Sequence, residues 1–238
     1  MRSFILTADD FGRSPEVNAA IERWHKAGAL QRAGLMINER SVDEAREISR
    51  RNPSLQVGLH LTLCDGLASD GSQLPPTPFQ AGMLYAFNPK RRAWLREEIE
   101  SQFARFVAMG FPPHYWDGHT HLHLHPLVLS LTLPIAAKYG FRHTRLVREP
   151  GLPGLLPWIF SMLSKRALPL LKQNDIGAAD AVFGLRKSGR MDAVEFERAL
   201  RDAPDGVTEI YFHPGAESLL PKPEWVAEKF AGKPPAFQ

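Results

Sequence analysis

The sequence contains a single cysteine, Cys64, among 238 residues. One thiol excludes an internal disulfide framework, and it excludes zinc or iron–sulfur sites built from several cysteines. The chain also lacks a stretch of about 18 uncharged apolar residues, so we expect no segment to span a membrane. Positive charge exceeds negative charge only slightly, with 29 Lys and Arg residues against 26 Asp and Glu residues. Neither a basic stripe nor a nucleic-acid motif accompanies this excess, so no nucleic-acid partner is expected.

The first twelve residues, MRSFILTADDFG, predict a buried strand rather than a targeting segment. Their apolar run is only a few residues long and ends in two aspartates, which is too short for the core of a signal peptide. We therefore expect a cytoplasmic location. A chain of this length suits one large domain or two small ones. The simpler arrangement is a single domain over residues 1–238.

Short apolar segments alternate with longer amphipathic segments about seven times, which favours parallel strands joined by helical crossovers. A doubly wound sheet and a barrel both fit this order. We favour an α/β fold of the TIM-like (β/α) barrel type, with about seven parallel strands, because polar residues follow the ends of several strands. The predicted strands are Ser3–Ala8, Gln31–Ile37, Gln56–Leu61, His114–Asp117, His143–Val147, Ala179–Phe183 and Glu209–Phe212. The predicted helices are Pro15–Ala27, Val42–Arg50, Arg91–Met109, Pro126–Tyr139, Leu155–Leu171, Ala193–Arg201 and Glu224–Phe230.

Two local signals sharpen these expectations. Ser14 is a good N-cap and Pro15 suits the first helical position, so the first helix is expected to begin there. The Pro- and Gly-rich stretch Asp65–Pro89 is interpreted as a long loop, and long loops in compact domains often act as lids or binding loops.

Four groups of polar residues follow strand-like segments. They are the pair Asp9–Asp10, His60, a window of five histidines from His114 to His125, and His213. On a barrel these groups would converge on the face formed by the carboxyl ends of the strands. Taken alone, three of the groups have a plain structural explanation: Asp9–Asp10 as a helix cap, His60 as a core histidine and His213 as a loop residue. The alternate histidines at 119, 121, 123 and 125 are harder to explain without a metal or catalysis.

Pro126 indicates which histidine is placed best. The residue before a proline is pushed away from helical backbone angles, so a helix is expected to begin at Pro126 and 119–125 to form a loop. His119 is then the first residue past the strand, while His121 and His123 remain alternatives. One carboxylate with two imidazoles is a ligand set for Zn²⁺ or a similar transition metal rather than for Mg²⁺. A second carboxylate, Asp9 or Asp10, would act as a base, and His213 would protonate the leaving group. Cys64 is expected to be a small buried residue rather than a soft ligand.

With these residues assembled, the chain resembles the YdjC/ChbG family of carbohydrate deacetylases. The matching segments are Thr7–Gly12, Gly58–His60, Asp117–Pro126 and Phe212–Pro214. The resemblance implies a distorted TIM-like barrel that removes the acetyl group from an N-acetylated amino sugar. It implies that Asp10, His60 and His119 bind one divalent metal, with zinc favoured and Mg²⁺ or another transition metal as alternatives. It also implies that Asp9 is the general base and His213 the acid.

Two segments, His119–Pro126 and Val182–Gly189, resemble the hopanoid-biosynthesis-associated branch of that family. This implies a hopanoid lipid carrying N-acetylglucosamine as substrate, such as N-acetylglucosaminyl-bacteriohopanetetrol. A soluble N-acetylated oligosaccharide, such as a chitooligosaccharide, is the alternative. The apolar segment 152–171, which includes Trp158, agrees with a lipid substrate, since it suits an interfacial helix or lid at the inner face of a membrane. A core helix explains the same segment equally well.

Arg145 and Arg148 lie around the end of a predicted strand, and together with Trp158 they are candidates for binding the substrate. Surface charges with salt-bridge partners are the alternative explanation for both arginines. A metal-dependent phosphoesterase is a rival function, which would favour two metals and more carboxylate ligands. A lipid- or metal-binding module without activity is a second rival, but it would need neither Asp9 beside the ligands nor His213 opposite.

Overall fold

The longest strand, β1, lies inside a six-stranded parallel sheet with the order β4–β3–β2–β1–β6–β5 in the computed structural model, which describes residues 1–215 and 219–232. The strands are β1 (Arg2–Phe11), β2 (Arg32–Leu35), β3 (Gln56–Leu61), β4 (Trp116–Gly118), β5 (Ala181–Phe183) and β6 (Gly206–Phe212). The helices are α1 (Pro15–Lys26), α2 (Val42–Arg51), α3 (Pro78–Phe87), α4 (Pro89–Ala108), α5 (Pro126–Lys138), α6 (Leu155–Gln173), α7 (Ala193–Asp202) and α8 (Pro223–Phe230). A short 3₁₀ segment, His119–Leu124, is named here the histidine turn.

The fifth predicted strand, His143–Val147, forms an irregular segment that joins the two edges of the sheet. The Trp116 N–H of β4 donates to the His143 carbonyl at 3.0 Å, and the Val182 N–H of β5 donates to the Arg148 carbonyl at 3.1 Å. The segment cannot form a full ladder, because His123 Nε2 and Ser164 Oγ bond the carbonyls of Arg145 and Val147 instead. The α/β fold with a curled parallel sheet is confirmed, but the regular strands number six rather than seven.

Helix α1 begins as predicted, since the Ser14 hydroxyl accepts a hydrogen bond from the Val17 N–H at 3.3 Å. The expected loop Asp65–Pro89 is wrong for its second half, where α3 forms. Thr77 caps this helix by accepting from the Gln80 N–H at 3.2 Å, and Pro78 follows at the first position. Helix α3 is apolar on all sides, so it lacks the amphipathic periodicity by which a surface helix is recognised in a sequence.

Glycines on three strands make room for large rings inside the barrel. A Cβ atom on Gly58 would lie 2.5 Å from the Tyr115 ring, and one on Gly118 would lie 2.7 Å from His123 Nδ1. A Cβ on Gly34 would lie 3.1 Å from His60 Nδ1. The strands therefore carry glycine at the positions where the tyrosine and histidine rings of the interior need space.

We expect Gly58→Ala to lower the free energy of unfolding by about 1–3 kcal/mol, because the added methyl group overlaps the buried Tyr115 ring. Urea denaturation would measure this. Gly82→Ala is the control, since its Cβ would have no neighbour nearer than 3.9 Å and alanine favours a helix by about 0.5–1 kcal/mol. Equal stability of Gly58→Ala and the unaltered protein would contradict this packing.

Candidate metal centre

Asp9 and Asp10 lie where β1 carries one extra residue. Ala8 pairs with Ala33 and Phe11 pairs with Leu35, so three steps along β1 oppose two steps along β2. Consecutive side chains of a regular strand point to opposite faces, but a bulge re-aims one of them. Asp10 adopts a φ of 67°, in the left-handed region that residues other than glycine rarely occupy. Consequently both carboxylates approach His60.

Three ligand-type atoms converge beside this bulge. The Oδ1 atom of Asp10 lies 3.0 Å from His119 Nδ1 and 3.5 Å from His60 Nε2. All three atoms are buried and none has a hydrogen-bond partner, an arrangement that costs free energy unless something else satisfies them. Two ligands of a tetrahedral zinc ion, each about 2.0–2.1 Å from the metal, lie about 3.3 Å apart. The three residues therefore fit a divalent transition metal in both chemistry and spacing.

Two further carboxylates fix the orientation of these imidazoles. His60 Nδ1 donates to Asp117 Oδ1 at 2.5 Å, and His119 Nε2 lies 3.2 Å from Asp65 Oδ2. A proton held on the nitrogen that faces the carboxylate leaves the other nitrogen free as a ligand. Asp65 was missed, and its position just past the end of β3 is the signal that could have found it.

Arg145 is the main positive charge among the buried carboxylates around Asp9. Its guanidinium binds both oxygens of Asp9 at 2.8 Å, and it also pairs with Asp117 at 2.8 Å and Glu209 at 2.9 Å. Burial alone would raise the pKa of Asp9, but the charges of Arg145 and His60 hold it well below its usual range. This carboxylate is therefore ionised and held in one orientation.

The surroundings of His60 favour a positive charge. Burial would lower the pKa of His60, but the nearby charges of Asp117 and Asp9 raise it to about 10. Asp10 adds a further buried carboxylate, whose pKa the two histidines keep well below its ordinary value against the effect of burial. A divalent cation between Asp10 and His60 would supply the positive charge that these groups stabilise.

His213 follows the end of β6, and its Nε2 atom lies 3.9 Å from Asp9 Oδ2. The side chain is about one-quarter exposed, with a relative accessibility of 25%. The structure thus brings His213 to Asp9. Arg13 pairs with the neighbouring Asp10, with its guanidinium 3.3 Å from Oδ2. The five residues expected to carry catalysis and metal binding lie in one neighbourhood.

The three buried histidines of the histidine turn have different partners. His119 joins Asp10 and His60, whereas His121 Nε2 bonds the Tyr211 hydroxyl and His123 Nε2 bonds the Arg145 carbonyl, both at 2.9 Å. Thr120 and His121 have positive φ angles of 55° and 60°, so the segment is a tight turn rather than the expected open loop. Burial lowers the pKa of His123 to about 4, so this imidazole is neutral.

Of the three candidates for substrate binding, Arg145 lies at the candidate metal centre, whereas Arg148 and Trp158 lie away from it. Arg145 is buried and occupied by carboxylates, so it is not available to the sugar hydroxyls that it was expected to contact. Arg148 and Trp158 line a separate cavity of about 630 Å³, whose lining includes none of the candidate metal ligands. Cys64 is buried with its Sγ atom 3.0 Å from Thr120 Oγ1. Glu209 and Tyr211 were missed, although a charged residue inside the apolar strand β6 is a recognisable signal.

Comparisons with known proteins found similar sequences and a similar fold. The family described as YdjC-like protein matches residues 3–232. A carbohydrate deacetylase of Mus musculus is 31% identical over 249 aligned positions, which cover 91% of this chain and 79% of the mouse protein. A carbohydrate deacetylase of Brevibacillus brevis is 31% identical over 218 positions, covering 88% and 80%. A solved structure from Enterococcus faecalis, of a protein assigned to cellobiose-phosphate cleavage, has a TM-score of 0.65 at 20% identity and covers 98% of this chain and 85% of that one. This structural likeness shows a shared fold.

We expect His119→Ala to weaken zinc binding by at least about 100-fold, because losing a ligand costs more than losing a residue that orients one. Competition with a chromophoric chelator would measure the affinity, and circular dichroism would check the fold. Asp117→Asn is expected to weaken binding by about 10–100-fold. His114→Ala, which alters an exposed histidine of the same window, is the control. Equal zinc affinity of His119→Ala and His114→Ala would contradict the assignment.

Proposed function

Since this chain belongs to the YdjC-like family, we propose that it is a metal-dependent carbohydrate deacetylase, a hydrolase that removes the N-acetyl group from an N-acetylglucosamine-type amino sugar. The observation that carries this proposal is the convergence of three unpartnered ligand atoms, from Asp10, His60 and His119, beside an ionised Asp9. The curated relatives described as carbohydrate deacetylases support the substrate class. The family match over residues 3–232 supports a single domain over residues 1–238, of which 216–218 and 233–238 lie outside the described structure.

Asp10, His60 and His119 would hold one divalent cation, with zinc favoured over magnesium because two of the three ligands are imidazoles. When bound, the cation would polarise the acetyl carbonyl and lower the pKa of a water molecule toward 7. Asp65 and Asp117 would keep the two imidazoles in the orientation that binding requires.

Asp9 accepts a proton from the attacking water in this mechanism. Arg145 holds both carboxylate oxygens, so Asp9 stays ionised at neutral pH and cannot rotate away. The same pairing makes Asp9 a weak base, because its pKa lies far below that of ordinary carboxylates. A cation held by Asp10, His60 and His119 would acidify a nearby water molecule, and Asp9, although a weak base, would accept a proton from it.

His213 supplies a proton to the amide nitrogen from Nε2, the ring nitrogen that faces Asp9. An unprotonated amide nitrogen is a very poor leaving group, so this transfer must accompany cleavage of the C–N bond. The products are acetate and the free amino sugar. The partial exposure of His213 suits this role, because substrate must reach the imidazole.

A phosphoesterase that uses two metals is less well supported. The second group of ligand-type atoms, from Asp9, His60 and Asp117, shares His60 with the first. Arg145 already pairs with Asp9 and Asp117 at 2.8 Å, so a second cation there would have to displace a buried guanidinium. One metal per chain is therefore expected.

The finer proposal concerns the substrate. We propose that the substrate is a lipid-linked N-acetylglucosamine of the hopanoid type. The reaction would take place at the cytoplasmic face of a membrane, which residues 152–171 would contact. Support comes from exposed apolar side chains in that segment, among them Leu155 and Trp158. A soluble chitooligosaccharide is the alternative, and comparing acetate release from the two substrates separates them.

We expect Asp9→Asn to slow acetate release at least about 100-fold, because the base is lost, while zinc content stays unchanged. An enzymatic acetate assay and metal analysis measure the two quantities. Chelation should abolish the activity of the unaltered protein, and added zinc should restore it.

Asp43→Asn is the control for this experiment, because Asp43 is an exposed carboxylate on α2. Full activity of Asp9→Asn would remove Asp9 from the base role. Phosphate release from a phosphomonoester, without any acetate release from N-acetyl sugars, would replace the deacetylase proposal with the phosphoesterase.

A further inference from the structure

Large apolar side chains are exposed mainly on two helices that adjoin the histidine turn. Among the described residues, six of the eleven such side chains lie on α3 or in the first turn of α6, and they are here named the apolar rim: Phe79, Met83, Phe87, Leu155, Leu156 and Trp158. Phe79 and Phe87 are each 75% exposed and Leu155 is 73% exposed. Both helices pack against the histidine turn, so the rim borders the part of the chain that supplies His119.

Helix α3 is apolar on both of its sides. Ala81 and Tyr85 are buried against the body of the protein. Phe79, Met83 and Phe87 follow one another at intervals of four residues, so they form a single stripe on the opposite side. A surface helix ordinarily carries polar residues there. The stripe therefore offers an apolar face that the described structure leaves uncovered.

The two helices that carry the rim contain basic residues but no acidic ones. Helix α3 carries no charged residue, and α6 carries only Lys165, Arg166 and Lys172. Helix α4, which follows α3 directly, opens with the exposed residues Lys90, Arg91 and Arg92. Apolar side chains beside basic ones are typical of helices that lie on anionic membranes. No helix of the described residues combines the length and apolar character needed to cross a bilayer.

We propose that the apolar rim, together with Lys90, Arg91 and Arg92, docks on the surface of an anionic lipid bilayer. The aromatic and aliphatic side chains enter the boundary between headgroups and acyl chains, and the basic residues pair with lipid phosphates. The inference deepens the proposed function, on which it rests for the idea that the substrate is lipid-linked. Docking would place the histidine turn at the membrane, so an amino sugar on a lipid could reach Asp10, His60 and His119 without leaving the bilayer.

The test measures partitioning of the full chain onto vesicles of phosphatidylcholine, with and without phosphatidylglycerol. We expect binding that requires phosphatidylglycerol and weakens as salt is added, because the basic residues act through screened electrostatics. Phe79→Ser/Phe87→Ser should lower the partition coefficient at least about tenfold, since burying each phenylalanine is worth more than that factor. Lys90→Gln/Arg91→Gln should weaken binding to anionic vesicles only.

The matched control is Val107→Ser/Val194→Ser, which alters two exposed apolar residues on α4 and α7 outside the rim and should leave binding unchanged. Equal binding of Phe79→Ser/Phe87→Ser and the control would overturn the proposal. So would a dimer that forms without vesicles and is lost in the rim variant, because the rim would then be an interface between two copies. Acetate release from a soluble N-acetyl sugar, measured on the same samples, distinguishes a failure of docking from a failure of the deacetylase proposal.

Discussion

The arrangement of the interior depends on the ion pairs that the Arg145 guanidinium makes. The guanidinium pairs with Asp9 of β1, Asp117 of β4 and Glu209 of β6. The backbone carbonyl of Arg145 also bonds His123 of the histidine turn. The Tyr211 ring lies under the guanidinium, whose central carbon is 4.5 Å from the ring centre. A buried charge left without its partners is strongly destabilising, so the three strands must meet around this arginine. Asp117, held by Arg145, in turn fixes the orientation of His60 through a hydrogen bond of 2.5 Å.

The alternation of side chains along a strand is the second constraint, and the chain meets it with a bulge. Two adjacent aspartates in a regular strand would serve opposite faces. The extra residue in β1 and the left-handed conformation of Asp10 allow Asp9 to reach Arg145 while Asp10 reaches His119. Strained backbone of this kind persists where surrounding contacts determine it. Here Arg13 and the two histidines supply those contacts.

The sequence contained enough to predict the order of the elements and the residues that meet around Asp10. Those predictions depended on local signals, such as Ser14 before Pro15 and His119 before Pro126, and on the rule that parallel strands end at one face. The surroundings of Arg145 could not be predicted, because its three carboxylate partners come from strands far apart in the chain. Asp65 was missed although it follows the end of β3, because no local signal links it to His119, which is 54 residues away. Helix α3 was missed because a helix that is apolar on all sides has no periodic pattern.

The apolar character of α3 is not explained by folding alone. Ala81 and Tyr85 already pack the helix against the protein, and the Tyr85 hydroxyl donates to the Leu63 carbonyl at 2.8 Å. Polar residues at positions 79, 83 and 87 would leave these contacts unchanged, and they would avoid exposing apolar surface to water. The large apolar side chains at all three positions therefore indicate a partner outside the described fold. The basic residues that open α4 make an anionic surface the partner that best matches this face.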